Sequence, residues 1–287
     1  MLPFRYARPG SVAEALQLRQ DHPDSRYLAG GTDLTVGLRD GKVRPDLLID
    51  IKRLDDLAPG ITETDDGGLH ISATTRMTEV GAHPRVRAHY PALVEAANIV
   101  GSIQIRNRAT IAGNSCTASP AADTVPPLSV YGASVVMQGP AGRRELELVD
   151  YITGPRRTEL AADEMVVGMR LPAPRHPRGS AFARLTRRRG VDLATINLAC
   201  SASEDGEVVF AYGAVAPRPL LVRDTSGTLI DPESSPSAKD AVLAEMAAHA
   251  SPITDVRATA EYRAAMLLVL SRRALASATT RLRESPQ

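Results

Sequence analysis

Tryptophan is absent from the 287-residue sequence, aromatic residues make up 3% of it, and only two cysteines occur, Cys116 and Cys200. So few aromatics leave no platform on which single-stranded bases could stack. Two thiols cannot build a disulfide framework, a four-thiolate zinc site or an iron–sulfur cluster. The six histidines form no H-E-x-x-H or comparable ligand pattern. Charge of one sign is also missing: 34 cationic side chains against 33 carboxylates leave a formal +1. That balance excludes the clustered basic surface required against a phosphate backbone. No apolar run reaches the ~20 residues of a membrane span, and the opening MLPFRYARPG lacks a signal peptide's apolar stretch. The expectation is a cytoplasmic protein that engages neither nucleic acid nor membrane.

Nucleotide-binding fingerprints are missing too. There is no G-x-G-x-x-G, and Gly37–Lys42 falls one residue short of a P-loop, with Val43 where a Ser or Thr must hold magnesium. Gly41-Lys42 reads instead as a helix stop.

What is present is a globular balance, 43% hydrophobic and 23% charged, in a chain long enough for about two packed units. Ser11 and Glu14 have the spacing of a capping box opening a helix from Val12 to about Asp21. Arg26–Ala29 reads as a strand, Leu34–Asp40 as a helix, and Leu47–Ile51 as a buried parallel strand, together a compact βαβ unit. Gly60–Ala73 reads as a hairpin turning at Asp65–Gly68. Helices are expected over Met77–Ala82, Ala92–Val100 and Val125–Tyr131, with strands at Ala133–Gln138, Arg144–Leu148 and Glu164–Leu171. Pro172–Pro177 is the boundary signal. Beyond it, Ser180–Thr186, Ala194–Ala202 and Val208–Ala214 suit an antiparallel sheet. Helices follow at Ala238–Ala248 and Ala260–Arg281, and Glu284–Gln287 reads as a loose tail.

Two loops rich in small residues carry the chemistry. Ala29-Gly30-Gly31-Thr32-Asp33-Leu34 sits where a strand hands over to a helix, where paired glycines admit a ligand to the backbone and successive amides form an anion nest. Thr110–Asp123 concentrates polar and small residues between two apolar elements, at a length uncommon for a structureless connection. Thr110, Asn114 and Asp123 offer it a hydroxyl, an amide and a carboxylate. Either loop read alone is an ordinary turn that satisfies its own backbone; the pair favours one shared ligand. Cys116, inside the second loop, reads as a small packed residue.

In this order and spacing the two loops resemble the FAD-binding subunit of the molybdenum hydroxylases, the xanthine dehydrogenase and carbon monoxide dehydrogenase family. The resemblance runs from Pro9–Ala15 through Ala29–Leu34, Leu48–Ile51, Gln104–Asp123 and Phe182–Arg188 to Tyr262–Met266. It implies an α+β protein: a p-cresol methylhydroxylase-like FAD-binding domain over 1–175, in two α/β lobes of about 1–57 and 58–175. A C-terminal domain of antiparallel sheet plus helices, of the carbon monoxide dehydrogenase flavoprotein type, would occupy 176–287. The cofactor-binding residues it implies are Leu28, Ala29, Gly30, Gly31, Thr32, Asp33 and Leu34 on the pyrophosphate side. Thr110, Ile111, Ala112, Gly113 and Asn114 would line the second phosphate and ribityl loop, and Asp123 would bond the ribityl or adenosine side. Val100 and Val167 would make apolar contacts, and Arg184 would stand near the flavin, where the family usually has Lys. Many relatives have Gly-Gly where this chain has Ala112-Gly113.

The implied activity is that of an oxidoreductase. FAD on this chain would take electrons from 2Fe–2S clusters on a small subunit, fed by a molybdenum cofactor on a large one, and pass them to NAD, oxygen or a quinone. The implied assembly is a dimer of heterotrimers. No catalytic acid–base pair and no metal ligand is expected within the chain. Two other readings of the residues stand beside this one: a self-contained flavin oxidase of the vanillyl-alcohol oxidase type, and a non-catalytic flavin-binding module.

Overall fold

A computed structural model describes residues 2–174 and 176–284. Arg175, within the boundary signal, and Ser285–Gln287, in the expected tail, lie outside the described residues.

The first lobe contains β1 (Arg5–Ala7), α1 (Val12–Asp21), β2 (Arg26–Leu28), α2 (Leu34–Arg39) and β3 (Leu47–Asp50). Its strands form a parallel sheet in the order β1–β3–β2. The Ser11 hydroxyl caps α1 by accepting the Glu14 amide at 3.2 Å. The Glu14 carboxylate accepts from the Gly10 amide at 2.7 Å, one residue before the N-cap, so the expected capping box closes one position early. Gly41, at φ +69°, ends α2 in the left-handed region, as its position after the helix led us to expect.

The second lobe begins with the hairpin β4 (Ile61–Glu63) and β5 (Leu69–Ser72). Six short helices follow: α3 (Met77–Ala82), α4 (Pro84–His89), α5 (Pro91–Ile99), α6 (Ile103–Arg106), α7 (Ile111–Thr117) and α8 (Val125–Val130). Then come β6 (Ser134–Gly139), β7 (Gly142–Glu147), α9 (Leu148–Tyr151), a two-stranded ribbon of β8 (Ile152–Gly154) and β9 (Arg157–Thr158), and β10 (Met165–Leu171). The main sheet is antiparallel in the order β4–β5–β10–β6–β7. Its inner residues, among them Leu69, Ile71, Val135, Met137 and Met169, join Leu93, Ile111 and Leu128 of the helices in one core that extends to Val12 and Leu16 of α1.

The remaining chain forms β11 (Arg178–Leu185), β12 (Ile196–Ser203), β13 (Val208–Gly213) and β14 (Leu220–Asp224), an antiparallel sheet in chain order, backed by α10 (Pro236–Ala248) and α11 (Ala260–Glu284). A second core lies between this sheet and the two helices. Phe210 and Tyr212 stack there at 5.5 Å. Gly179 lets α11 lie directly on β11, since a Cβ at that position would stand 1.9 Å from the Ala278 carbonyl.

The opposite face of the sheet meets the second lobe. Tyr131 bonds the Ser180 hydroxyl, the Phe182 amide donates to Glu95 at 2.8 Å, and Arg281 of α11 pairs with Glu95. The sequence reading does not find β1, which is strand only because it pairs with β3, nor β14, which follows Pro217 and Pro219, nor the short elements α4, α6, α9, β8 and β9. It also read Ile111–Thr117 as loop, where the structure has α7.

Candidate functional site

The segment Ala29–Asp33 runs from β2 into α2. Gly31 takes φ +73°, and its carbonyl accepts both the amide and the hydroxyl of Thr35, at 2.9 and 2.6 Å. The amides of Gly31, Thr32 and Asp33 meet no acceptor among the described residues. Successive unpaired amides in a turn are donors available to an anion. At Gly30 a Cβ would fall 2.1 Å from the Arg108 carbonyl, so only glycine allows this loop to touch the segment that leads into α7.

That segment is fixed in turn. The Ala109 carbonyl accepts the Met77 amide at 2.9 Å, and the Thr110 hydroxyl accepts the Gly113 amide at 3.0 Å as the N-cap of α7. Capping by Thr110 and burial of Ile111, Ala112 and Ser115 hold as helix a stretch of low helix propensity. Ala112 lies within α7 and is not among the residues of positive φ, so its methyl group strains no backbone.

Between the two segments lies a cavity of about 510 Å³. Of the residues singled out from the sequence, Ala29 to Leu34, Val100, Thr110, Gly113 and Asn114 line it. Leu28 stands behind the first loop, its Cδ1 2.8 Å from where a Gly31 Cβ would be. Ile111 and Ala112 direct their side chains into the core, and Val167 is buried in the main sheet, its carbonyl accepting the Ala73 amide at 3.0 Å. Asp123 and Arg184 meet each other at 2.6 Å, and Asn197 Nδ2 donates to the second Asp123 oxygen at 3.0 Å. Burial pushes the Asp123 carboxyl up, opposed by the Arg184 charge and the Asn197 hydrogen bond. This carboxylate and this guanidinium therefore join the N-terminal region to β11 and do not line the cavity.

Other wall residues are not among the site residues expected from the sequence. Arg26, Tyr27, Ile105, Cys116, Arg156 and Leu193 all line the cavity. Cys116 is exposed there and accepts a hydrogen bond from Tyr151 at 3.5 Å, whereas the sequence suggested a packed residue. Burial pushes the Tyr27 phenol up to about 12. Arg156 adopts φ 57°, donates its amide to the Ala118 carbonyl at 2.9 Å and reaches Asp33 at 3.5 Å. Leu193 arrives from the β11–β12 hairpin and Ile105 from α6, both with much of their apolar surface exposed. Ile105 and Cys116 lie within the Gln104–Asp123 segment, whereas Arg26, Tyr27, Arg156 and Leu193 belong to no motif and reach the wall only through the fold.

The cavity thus offers unpaired backbone donors on one side and the apolar side chains of Leu34, Val100, Ile105 and Leu193 elsewhere. This donor set fits a ligand with a phosphate portion and a flat apolar portion.

Residues 2–174 match the FAD binding domain in molybdopterin dehydrogenase, and residues 180–278 match the CO dehydrogenase flavoprotein C-terminal domain. The xanthine dehydrogenase FAD-binding subunit of Escherichia coli O157:H7 is 30% identical over 278 residues, 95% of each chain. The carbon monoxide dehydrogenase medium chain of Hydrogenophaga pseudoflava is 34% identical over 284 residues, 97% of this chain and 98% of that one. In the structure of reconstituted CO dehydrogenase from Oligotropha carboxidovorans, a chain 30% identical superimposes with a TM-score of 0.89 over 98% of this chain and 100% of that one. A cavity walled by backbone amides, in a chain that matches both domain models along almost its whole length, makes this protein a member of the FAD-binding, or medium, subunits of the molybdenum hydroxylase family, oxidoreductase flavoproteins of the xanthine and carbon monoxide dehydrogenase type.

Proposed function

We propose that this chain is the electron-transfer subunit of a cytoplasmic molybdenum-containing hydroxylase, a dimer of heterotrimers. In this reading it stands between the 2Fe–2S clusters of a small subunit, supplied from a molybdenum cofactor on a large subunit, and an external acceptor: NAD, oxygen or a quinone. The division of labour suits the sequence, whose two cysteines lie apart, one exposed at the cavity and one buried in β12. FAD, when bound, supplies the exchange between one-electron donors and a two-electron acceptor.

The residues of the chain have the binding work. Gly31, Thr32 and Asp33 present their amides to the pyrophosphate. Thr110, Gly113 and Asn114 form the facing wall, and Val100, Ile105 and Leu193 exclude water from the apolar part. Arg26 and Arg156 add positive charge at the margin. We assign 1–175 to a p-cresol methylhydroxylase-like FAD-binding domain and 176–287 to the C-terminal domain.

The observation that carries this reading is the contact of Gly30 with Arg108, which closes two distant small-residue segments around one cavity. The test is the absorbance of the purified chain with and without added FAD. Flavin bands near ~370 and ~450 nm, with FAD released on denaturation, are expected. Reduction of that flavin by the co-purified small and large subunits, and not by an organic substrate offered to the chain alone, separates the reading from a flavin oxidase. A protein that stays colourless with excess FAD overturns it.

A further inference from the structure

Arg263 is the one buried arginine among the described residues, 3% exposed, on the first turns of α11. It does not line the cavity. Its guanidinium donates to the carbonyls of Thr195 and Ala214 and reaches the Asp255 carboxylate at 2.7 Å. A charge removed from water must be met by hydrogen bonds and an opposite charge, and here two carbonyls at Nη1 and one carboxylate at Nη2 meet it, while Nε has no acceptor among the described residues.

The two carbonyls belong to the chain turns that flank the cavity on the C-terminal side. Thr195 closes the 186–194 hairpin, which carries Leu193 into the cavity wall, and its amide returns to the Leu185 carbonyl at 2.8 Å. Ala214 follows β13, and its amide donates to the Pro120 carbonyl at 2.7 Å, in the segment whose Ser119, Ala121 and Ala122 also form the wall.

Backbone strain marks the same place. Three non-glycine residues among those described have positive φ: Ala118 at 46°, Arg156 at 57° and Ala214 at 59°. All three meet on one stretch of chain, because Arg156 donates to the Ala118 carbonyl and Ala214 to that of Pro120. Left-handed alanines persist only where the surroundings over-determine them. Arg263 supplies that constraint at Ala214 from the far side. Asp255 holds the guanidinium in place and also accepts the amides of Arg257 and Ala258, at 2.8 and 3.3 Å.

We propose that Arg263 is a positioning residue for the cofactor cavity: it fixes Leu193 and the 119–122 wall through Thr195 and Ala214, and it couples occupancy of the cavity to the order of the remote loop 251–258. This rests on the reading of the cavity as the FAD site. A residue that only stabilised the C-terminal core would leave the affinity of the folded protein for FAD unchanged and would transmit nothing to loop 251–258.

The first test uses the intact chain. Amide hydrogen exchange with and without FAD is expected to slow at Thr195, Ala214 and Arg257–Ala258, although none of these lines the cavity. The second test measures FAD affinity in Arg263→Met and Arg263→Lys at a temperature where circular dichroism shows each folded. Arg263→Met is expected to weaken FAD binding about tenfold or more, with partial recovery in Arg263→Lys, whose single ammonium can serve only some of the three partners. Arg272→Met, which removes an exposed partner of Asp240 on the same helix, serves as the unchanged reference. A folded Arg263→Met protein with wild-type affinity overturns the proposal. If the variants do not fold, the exchange experiment decides, and FAD uptake with unchanged exchange at those amides overturns it equally. A wild-type chain that takes up no FAD overturns the cofactor reading itself, an outcome distinct from both.

Discussion

The N-terminal wall of the cavity and the C-terminal core are built in opposite ways. The wall is main chain: Gly30 touching Arg108, amides of Gly31 to Asp33 free to donate, and a helix N-terminus held by Thr110. The core beneath β11–β14 is side chain: Phe210 stacked on Tyr212, with Cys200, Leu243, Leu267 and Leu270 closing around them. Recognition through main chain depends on what is absent from Cβ outward, so it tolerates no added atom. Cohesion through side chains depends on filled volume, so it tolerates no lost atom. One molecule therefore contains two regions with opposite sensitivities to mutation.

Phe210→Ala tests the second half of that contrast and carries the largest expected effect. Deleting a fully buried ring costs about 3–5 kcal/mol. Urea unfolding is expected to show this loss, while the FAD affinity of the still-folded fraction changes little. A comparable loss of affinity would erase the distinction between the regions. Gly30→Ala tests the first half. The new methyl group must displace the Arg108 carbonyl, a cost of about 1–3 kcal/mol by overpacking. This falls on the cavity, so FAD titration is expected to show at least about a tenfold weaker Kd with an almost unchanged unfolding transition of the C-terminal core. Retention of wild-type affinity would show that the loop junction is dispensable.

The smallest effect sharpens the comparison at the Asp255–Arg263 pair. Burial alone would raise the Asp255 carboxyl, but the Arg257 amide, the Arg263 guanidinium and the Ala258 amide hold it down to about 2, from an ordinary 3.8. A depressed carboxylate stabilises the fold above its unfolded value, and that contribution fades as pH falls from about 4 towards about 2. The stability difference between wild type and Asp255→Asn, from denaturation at stepped pH, is expected to be full at pH 6 and to shrink across that window. A difference independent of pH would show that the charge on Asp255 contributes nothing.

Glycine punctuation made much of this architecture legible in the sequence. Gly30-Gly31 between apolar runs announced the βαβ unit, and alternation after Gly68 announced the hairpin, because both signals are local. Helix α7 was hidden because Ile111–Thr117 has the composition of a loop, and its helicity comes from the Thr110 cap and burial. The wall residues Leu193, Arg26 and Arg156 were illegible for a related reason: each is ordinary in its own segment and reaches the cavity only through tertiary packing. Asp123 and Arg184 show the converse case. The Asp123 carboxylate suggested a ligand contact and the resemblance set Arg184 beside the flavin, and the fold brings the two to each other. Composition can mark a polar loop, but it cannot say whether the fold will satisfy that loop internally.

The meeting of Gly30 with Arg108, and of Pro120 with Ala214, also sets when the cavity can exist. Contacts between segments so far apart in sequence form only after the intervening chain has been made and folded. A nascent chain that has completed the βαβ unit therefore displays the glycine loop without its opposing wall, and one that has completed the second lobe still lacks Leu193 and the Ala214 anchor. On the proposed reading of the cavity as the FAD site, capture of the cofactor there waits until β11–β14 have docked on the second lobe and brought Leu193 and Ala214 to the wall.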